Sequence, residues 1–156
     1  LRLLIAAVGR LRGAPEAALA EDYAARAAAA GRQLGFKSVD IAEVEGKPPG
    51  DARAEAAALY RATPDGARKV LLDERGTEWT SRQLAEKLAR WRDDGVPCAT
   101  FWIGGAEGVS QSVKDQADEK LALGRQTWPH RLVRVMISEQ IYRAVTILSG
   151  NPYHRD

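Results

Sequence analysis

The sequence predicts an α/β fold built on a largely parallel sheet. Short apolar or alternating runs recur along the chain, stretches of helical periodicity separate them, and glycine, proline or aspartate turns mark the junctions. With 156 residues, 45% hydrophobic and 28% charged, the chain is sized for a single domain, residues 1–156, and no repeat or long linker divides it.

The elements follow in order. Leu1 to Val8 alternates loosely and stops at Gly9, a first strand. Pro15 to Gly31 is alanine-rich with Glu16, Glu21 and Asp22 early, as the positive end of a helix prefers. Ser38 to Val44 alternates apolar and polar residues, a second strand, and Gly46-Lys47-Pro48-Pro49-Gly50 is a turn. A helix from Asp51 to Ala62 ends at Thr63-Pro64-Asp65-Gly66. Lys69 to Asp73 is a short apolar run suited to a buried strand. Thr80 or Ser81 caps a helix carrying Leu84, Leu88 and Trp91, which ends near Gly95. Ala99 to Ile103 is a strand closed by Gly104-Gly105, and Lys120 to Leu123 is one more. A long helix from His130 to Leu148 ends at Gly150. At 100° per residue its core face carries Val133, Met136, Ile137, Ala144, Ile147 and Leu148. Val135, Tyr142 and Val145 fall on a second face beside Arg131, Arg134 and Ser138, a mixture that suits a partner chain.

Composition excludes several classes. No apolar run approaches the roughly 20 residues that span a bilayer, so no membrane role is expected. The apolar opening is short and runs into charge and glycine, so no signal peptide is expected. One cysteine, Cys98, forms no intrachain disulfide and no multi-cysteine zinc site; it reads as a small buried strand residue in a cytoplasmic protein, and no metal is expected. Charge is unevenly spread. Residues 120–156 carry +4 while residues 1–119 carry −2, and both histidines lie in the basic part, a polarity that attracts phosphate.

Parallel α/β sheets bind ligands at the carboxyl ends of their strands. Three loops occupy such positions near the C-terminus: one at Leu72-Asp73-Glu74, one from Ile103-Gly104-Gly105 to Glu107-Gly108, and one from Leu123 to His130. Their glycines let a ligand approach the backbone. The chain has no GxGxxG after its first strand, no P-loop lysine, no GxSxG elbow and no HExxH, so dinucleotide, nucleotide-triphosphate and common hydrolase chemistries are set aside. Asp73 and Glu74, adjacent in a strand, point to opposite faces and read as a solvated strand exit rather than an acid pair.

The ordered set Leu71-Leu72-Asp73, Ile103-Gly104-Gly105-x-Glu107-Gly108, Thr127-Trp128-Pro129-His130, Leu132-Val133-Arg134-Val135 with Glu139-Gln140-x-Tyr142-Arg143-Ala144, and Pro152-Tyr153-His154-Arg155 resembles the ribosomal RNA large subunit methyltransferase H family. The resemblance covers the whole chain. It implies a SPOUT fold, a parallel sheet flanked by helices with a C-terminal trefoil knot, which periodicity alone would never suggest. It also implies a homodimer, S-adenosylmethionine as methyl donor, and N3 of a pseudouridine in large-subunit ribosomal RNA, in the context of the ribosome, as acceptor. By carry-over the donor meets Leu72, Gly104 and the run Leu123, Gly124, Arg125, Gln126, Thr127 and Trp128. Gln126 departs from the apolar residue usual in the family.

Methyl transfer from a sulfonium asks the protein mainly to bind, orient and exclude water, while the imide proton must leave. His154 is the catalytic candidate by residue type, as proton acceptor or as orienting group. Arg155 and Arg143 are expected to meet phosphates and Tyr153 to stack on a base. Two rivals stand beside this reading: a SPOUT methyltransferase for another RNA such as transfer RNA, and an RNA- or ribosome-binding module without catalysis.

Overall fold

Five strands make one sheet in the computed structural model, which describes residues 1–156. They are β1 (Arg2–Val8), β2 (Ser38–Val44), β3 (Arg68–Glu78), β4 (Cys98–Ile103) and β5 (Glu119–Ala122). Their order is β2-β1-β4-β3-β5, and every neighbouring pair is parallel. Five helices connect them: α1 (Pro15–Gly31), α2 (Ala52–Ala62), α3 (Ser81–Asp93), α4 (Gln111–Gln116) and α5 (His130–Ser149). The expected parallel sheet flanked by helices is the observed architecture. No helix is long and apolar enough to cross a membrane.

Alternation along each strand sorts side chains onto two faces. Leu3, Ile5 and Ala7 of β1 join Val70, Phe101 and Ile103 under α1, α3 and α5, the larger core. Ala6 and Val8 join Leu71 and Trp102 on the other face, covered by α2 through Ala56 and Leu59 and by α4 through Val113. The alanines of α1 have a structural purpose: Ala20, Ala24 and Ala27 are buried, so this helix lies close against its neighbours. Asp51 caps α2 by accepting from the Ala54 N–H. Thr80, not Ser81, caps α3 through a reciprocal box with Gln83.

Three expectations need correction. β3 does not stop at Asp73 but runs to Glu78, because its pairing with β5 breaks and resumes: Leu72 and Thr77 both register with Leu121. Residues 73–76 are the excursion between those points, and an apolar run ending at Asp73 gave no sign of the second half. A short helix, α4, capped by Ser110, fills a stretch with no expected element. The faces of α5 are also rotated, by roughly 80° on a wheel of 100° per residue. Its buried side carries Arg134, Ile137, Ser138, Ile141, Ala144 and Val145. Val145 therefore belongs to the chain's own core, not to an outward face. Polarity misled the reading: Arg134 and Ser138 are buried because most of their polar atoms are satisfied within the fold, with only the Arg134 Nε lacking a partner. Arg134 donates to Glu43 Oε2 at 2.6 Å and to the Gly9 carbonyl at 3.1 Å, and Ser138 donates to the Arg134 carbonyl at 2.7 Å.

Candidate active site

The carboxyl ends of β3, β4 and β5 open onto a cavity of about 750 Å³, well within the range of small-molecule sites. All three loops expected to bind a ligand line it. Leu72 to Arg75 form one wall, Ile103 to Ala106 with Gly108 and Val109 a second, and Leu123 with Gln126 to His130 a third; Leu121, Val133 and Lys114 complete it.

Local chemistry sets each wall. The excursion 73–76 is held by an Asx turn, the Arg75 N–H donating to Asp73 Oδ1 at 2.9 Å. Gly76 returns the chain to β5 so closely that an added Cβ would lie 2.6 Å from the Lys120 carbonyl oxygen. The second loop closes through the Gly108 N–H donating to the Gly105 carbonyl at 3.1 Å, with Gly108 at φ +80°. A Cβ on Gly104 would meet Val109 Cγ1 at 2.6 Å, so glycine keeps this wall tight. Loop three folds on itself and on loop one: Trp128 Nε1 donates to the Leu123 carbonyl at 2.9 Å, and Thr127 Oγ1 donates to Glu74 Oε2 at 2.7 Å.

Of the eight residues assigned to the methyl donor, Leu72, Gly104, Leu123, Gln126, Thr127 and Trp128 line this cavity. Gly124 and Arg125 do not; they turn toward a neighbouring polar depression beside Glu74 and Gly76. Sequence reasoning placed three others in these loops without giving them a part in binding. Asp73 and Glu74, read as a solvated strand exit, sit in the wall, as does His130, read as the end of the third loop and the start of a helix. Their membership of the same three loops was the available signal. Burial, and then Arg131 and Arg134, hold the His130 imidazole below its ordinary pKa.

The C-terminal residues lie elsewhere. Tyr153 folds back over α5, its hydroxyl donating to Glu139 Oε1 at 3.0 Å and its ring packed edge-on against Tyr142 at 4.7 Å. Burial and Glu139 push its phenol up to about 12. Arg143 lies over the Tyr153 ring, pairs with Glu139 at 2.8 Å and approaches His154 Nδ1 at 3.2 Å. His154 Nε2 meets Asp156 Oδ1 at 2.9 Å, and Arg82 of α3 holds Asp156 in a two-pronged contact at 2.6 and 2.7 Å. Those hydrogen bonds, Arg82 first and then His154, bring Asp156 down to about 2. Thus Tyr153, His154 and Arg143 form one cluster, with Arg155 exposed beside it. None of them lines the chain's own cavity. The innermost contact, at Glu139, is still roughly 14 Å of helix from His130.

A family model described as "Predicted SPOUT methyltransferase" matches residues 1–154. The chain is 55% identical over 156 residues to the ribosomal RNA large subunit methyltransferase H of Paracoccus denitrificans, covering all of both chains. It is 53% identical to the protein of that name from Caulobacter vibrioides, covering 100% of this chain and 99% of the relative. The Hyphomonas neptunium protein of that name is 52% identical, with 99% of each chain covered.

Proposed function

The chain belongs to the ribosomal RNA large subunit methyltransferase H family of SPOUT methyltransferases, and on that premise we propose that it methylates N3 of a pseudouridine in large-subunit ribosomal RNA, with S-adenosylmethionine as donor. The observation that carries the reading is the convergence of three strand-end loops on one cavity. Its apolar lining, Leu72, Ile103, Leu123 and Val133, suits an adenine, while the nearby backbone of Gly104, Leu123 and Gln126 to Trp128 can read that base's edge. Asp73 and Glu74 offer carboxylates to a cationic sulfur, beside the balancing charges of Arg75 and Lys114. When bound, the donor supplies a methyl group already bonded to a cationic sulfur; the chain's own task is to orient the acceptor, exclude water and take a proton.

The finer features of the family belong to the same proposal. Threading of the segment that carries loop three and α5 gives the trefoil knot. Two copies form a homodimer, supported by apolar side chains left exposed: Leu19, Leu132 and the cavity-lining Trp128 are each more than a third exposed. Val135, half-buried, stays in that interface, while Tyr142 and Val145 are used within the chain. The tail of one copy then serves the cavity of the other. Tyr153, Arg155 and Arg143 bind RNA there and His154 meets the reacting nucleotide, with the ribosome as setting and the cytoplasm as compartment.

The test combines two measurements. Calorimetric titration with S-adenosylmethionine should give saturable heat, and mass mapping of large-subunit RNA incubated with the protein should find one methylated pseudouridine. Saturable binding with methylation only of transfer RNA would move the substrate. No saturable heat would leave an RNA-binding module.

A further inference from the structure

Four polar side chains are candidates to take a proton at this site, and three are already engaged. Asp73 accepts the Arg75 N–H, and Glu74 accepts the Thr127 hydroxyl. Both ring nitrogens of His154 are in contact, one with Arg143 and one with Asp156. The fourth, His130, lines the cavity, and no hydrogen bond contributes to its environment. It is the first residue of the 20-residue helix α5, directly after Pro129, so its backbone is fixed by the helix start.

Resting on the methyltransferase reading, we propose that His130, rather than His154, accepts the proton of the acceptor's imide nitrogen. As the imidazole takes the proton, the electron pair of that nitrogen forms the new N–C bond to the methyl group. The C–S bond breaks with its electrons staying on sulfur, which passes from sulfonium to neutral thioether. The proton ends on His130 and leaves to water. His154 is then an orienting group in the partner's cavity.

Charges around His130 keep it in the accepting form. Arg131 and Arg134 act from its own helix, behind the effect of burial. A helix N-terminus also disfavours a cation. Lys114 faces the cavity from α4 and Arg75 from β3, while Asp73 and Glu74 of β3 oppose them; Glu43 of β2 is committed to Arg134. Burial, then Arg131 and Arg134, lower the imidazole, which is therefore neutral at neutral pH.

Three readouts on the full-length protein test this. His130→Gln should keep affinity for S-adenosylmethionine and for large-subunit RNA within a small factor, while single-turnover methyl transfer falls about 10²- to 10⁴-fold. The wild-type rate should decline toward acidic pH, and that decline should vanish in His130→Gln but persist in His154→Gln. Magnetic-resonance titration of the protein without donor or RNA, with only two imidazoles to assign, should place His130 below the ordinary histidine value of about 6.5. Full activity of His130→Gln, an acid limb that follows His154 instead, or a His130 that is protonated at neutral pH overturns the inference alone. A wild-type chain that binds the donor and methylates no RNA overturns the methyltransferase reading as well.

Discussion

Gly76 shows what single residues decide here and what the sequence conceals. A glycine between Arg75 and Thr77 looks like any turn residue, yet it is the point where β3 regains β5 after its excursion. The atoms an added methyl would meet are all backbone: the Lys120 carbonyl oxygen at 2.6 Å, its carbon at 2.7 Å and the Leu121 nitrogen at 2.9 Å. No side chain can swing aside, so Gly76→Ala must push two strands apart. We expect a loss of about 1–3 kcal/mol, the usual range for overpacking, measured by urea denaturation. Affinity for S-adenosylmethionine should fall too, because β3 and β5 each carry a cavity wall. An alanine variant of unchanged stability would mean the excursion is looser than described. Gly104, in contrast, was legible: a glycine pair closing an apolar strand announces a tight loop, and its place in the cavity wall agrees. Gln126 lines the same wall despite its polarity, so the departure from the family's usual apolar residue does not remove it from the site.

At the scale of elements, what could be read depended on whether polar residues advertise their true environment. Alternation and caps exposed β1, β2, α2 and α3 to within a residue or so. For α5, counting apolar residues turned the helix the wrong way, because Arg134 was assigned outward. Its guanidinium is only 2% exposed and clamps Glu43 of β2 and the Gly9 carbonyl beyond β1. Glu43 also accepts the Leu11 N–H at 2.9 Å, so one ion pair ties α5 to two strand ends and the loop between β1 and α1. Arg134→Ala breaks a pair whose cation is buried but whose carboxylate is about one-third exposed and can be rehydrated. The expected cost is about 3 kcal/mol, the lower end for such a break. Burial would raise the Glu43 pKa, but the Leu11 N–H and Arg134 outweigh it and hold it low. The pair's stabilisation is therefore complete above the ordinary glutamate range and is lost as pH falls through the depressed folded value. Chemical denaturation from neutral to acidic pH should show the wild type losing its advantage over Arg134→Ala in that window. A constant difference across the range would refute the linkage.

For the whole molecule, the chain has its cavity at the start of α5 and its aromatic, imidazole and guanidinium cluster toward the other end. The composition of the tail was visible in the sequence, but its docking was not, since it depends on Glu139, Tyr142 and Arg82 from two helices. That docking fixes the tail on its own chain, away from its own cavity. If the tail acts on RNA in methyl transfer, it must therefore act at the cavity of a second copy. Removing residues 153–156 should leave S-adenosylmethionine affinity nearly unchanged, because no tail residue lines the cavity. Methyl transfer should fall by about 10²-fold or more, as when a substrate is misplaced, and RNA binding should become less salt-dependent with Arg155 gone. The decisive form mixes two inactive chains, one lacking residues 153–156 and one whose cavity is blocked by Gly104→Val. Their heterodimer contains one intact cavity facing one intact tail, so a composite site regains activity on mixing and a self-contained site does not. Co-refolding the two at equal amounts should return close to a quarter of wild-type activity, since about half the dimers are mixed and each has one working site of two, as random pairing of closed twofold dimers requires. No recovery, with mixed dimers demonstrated by mass, would confine the tail to its own chain and leave the dimer without a catalytic part.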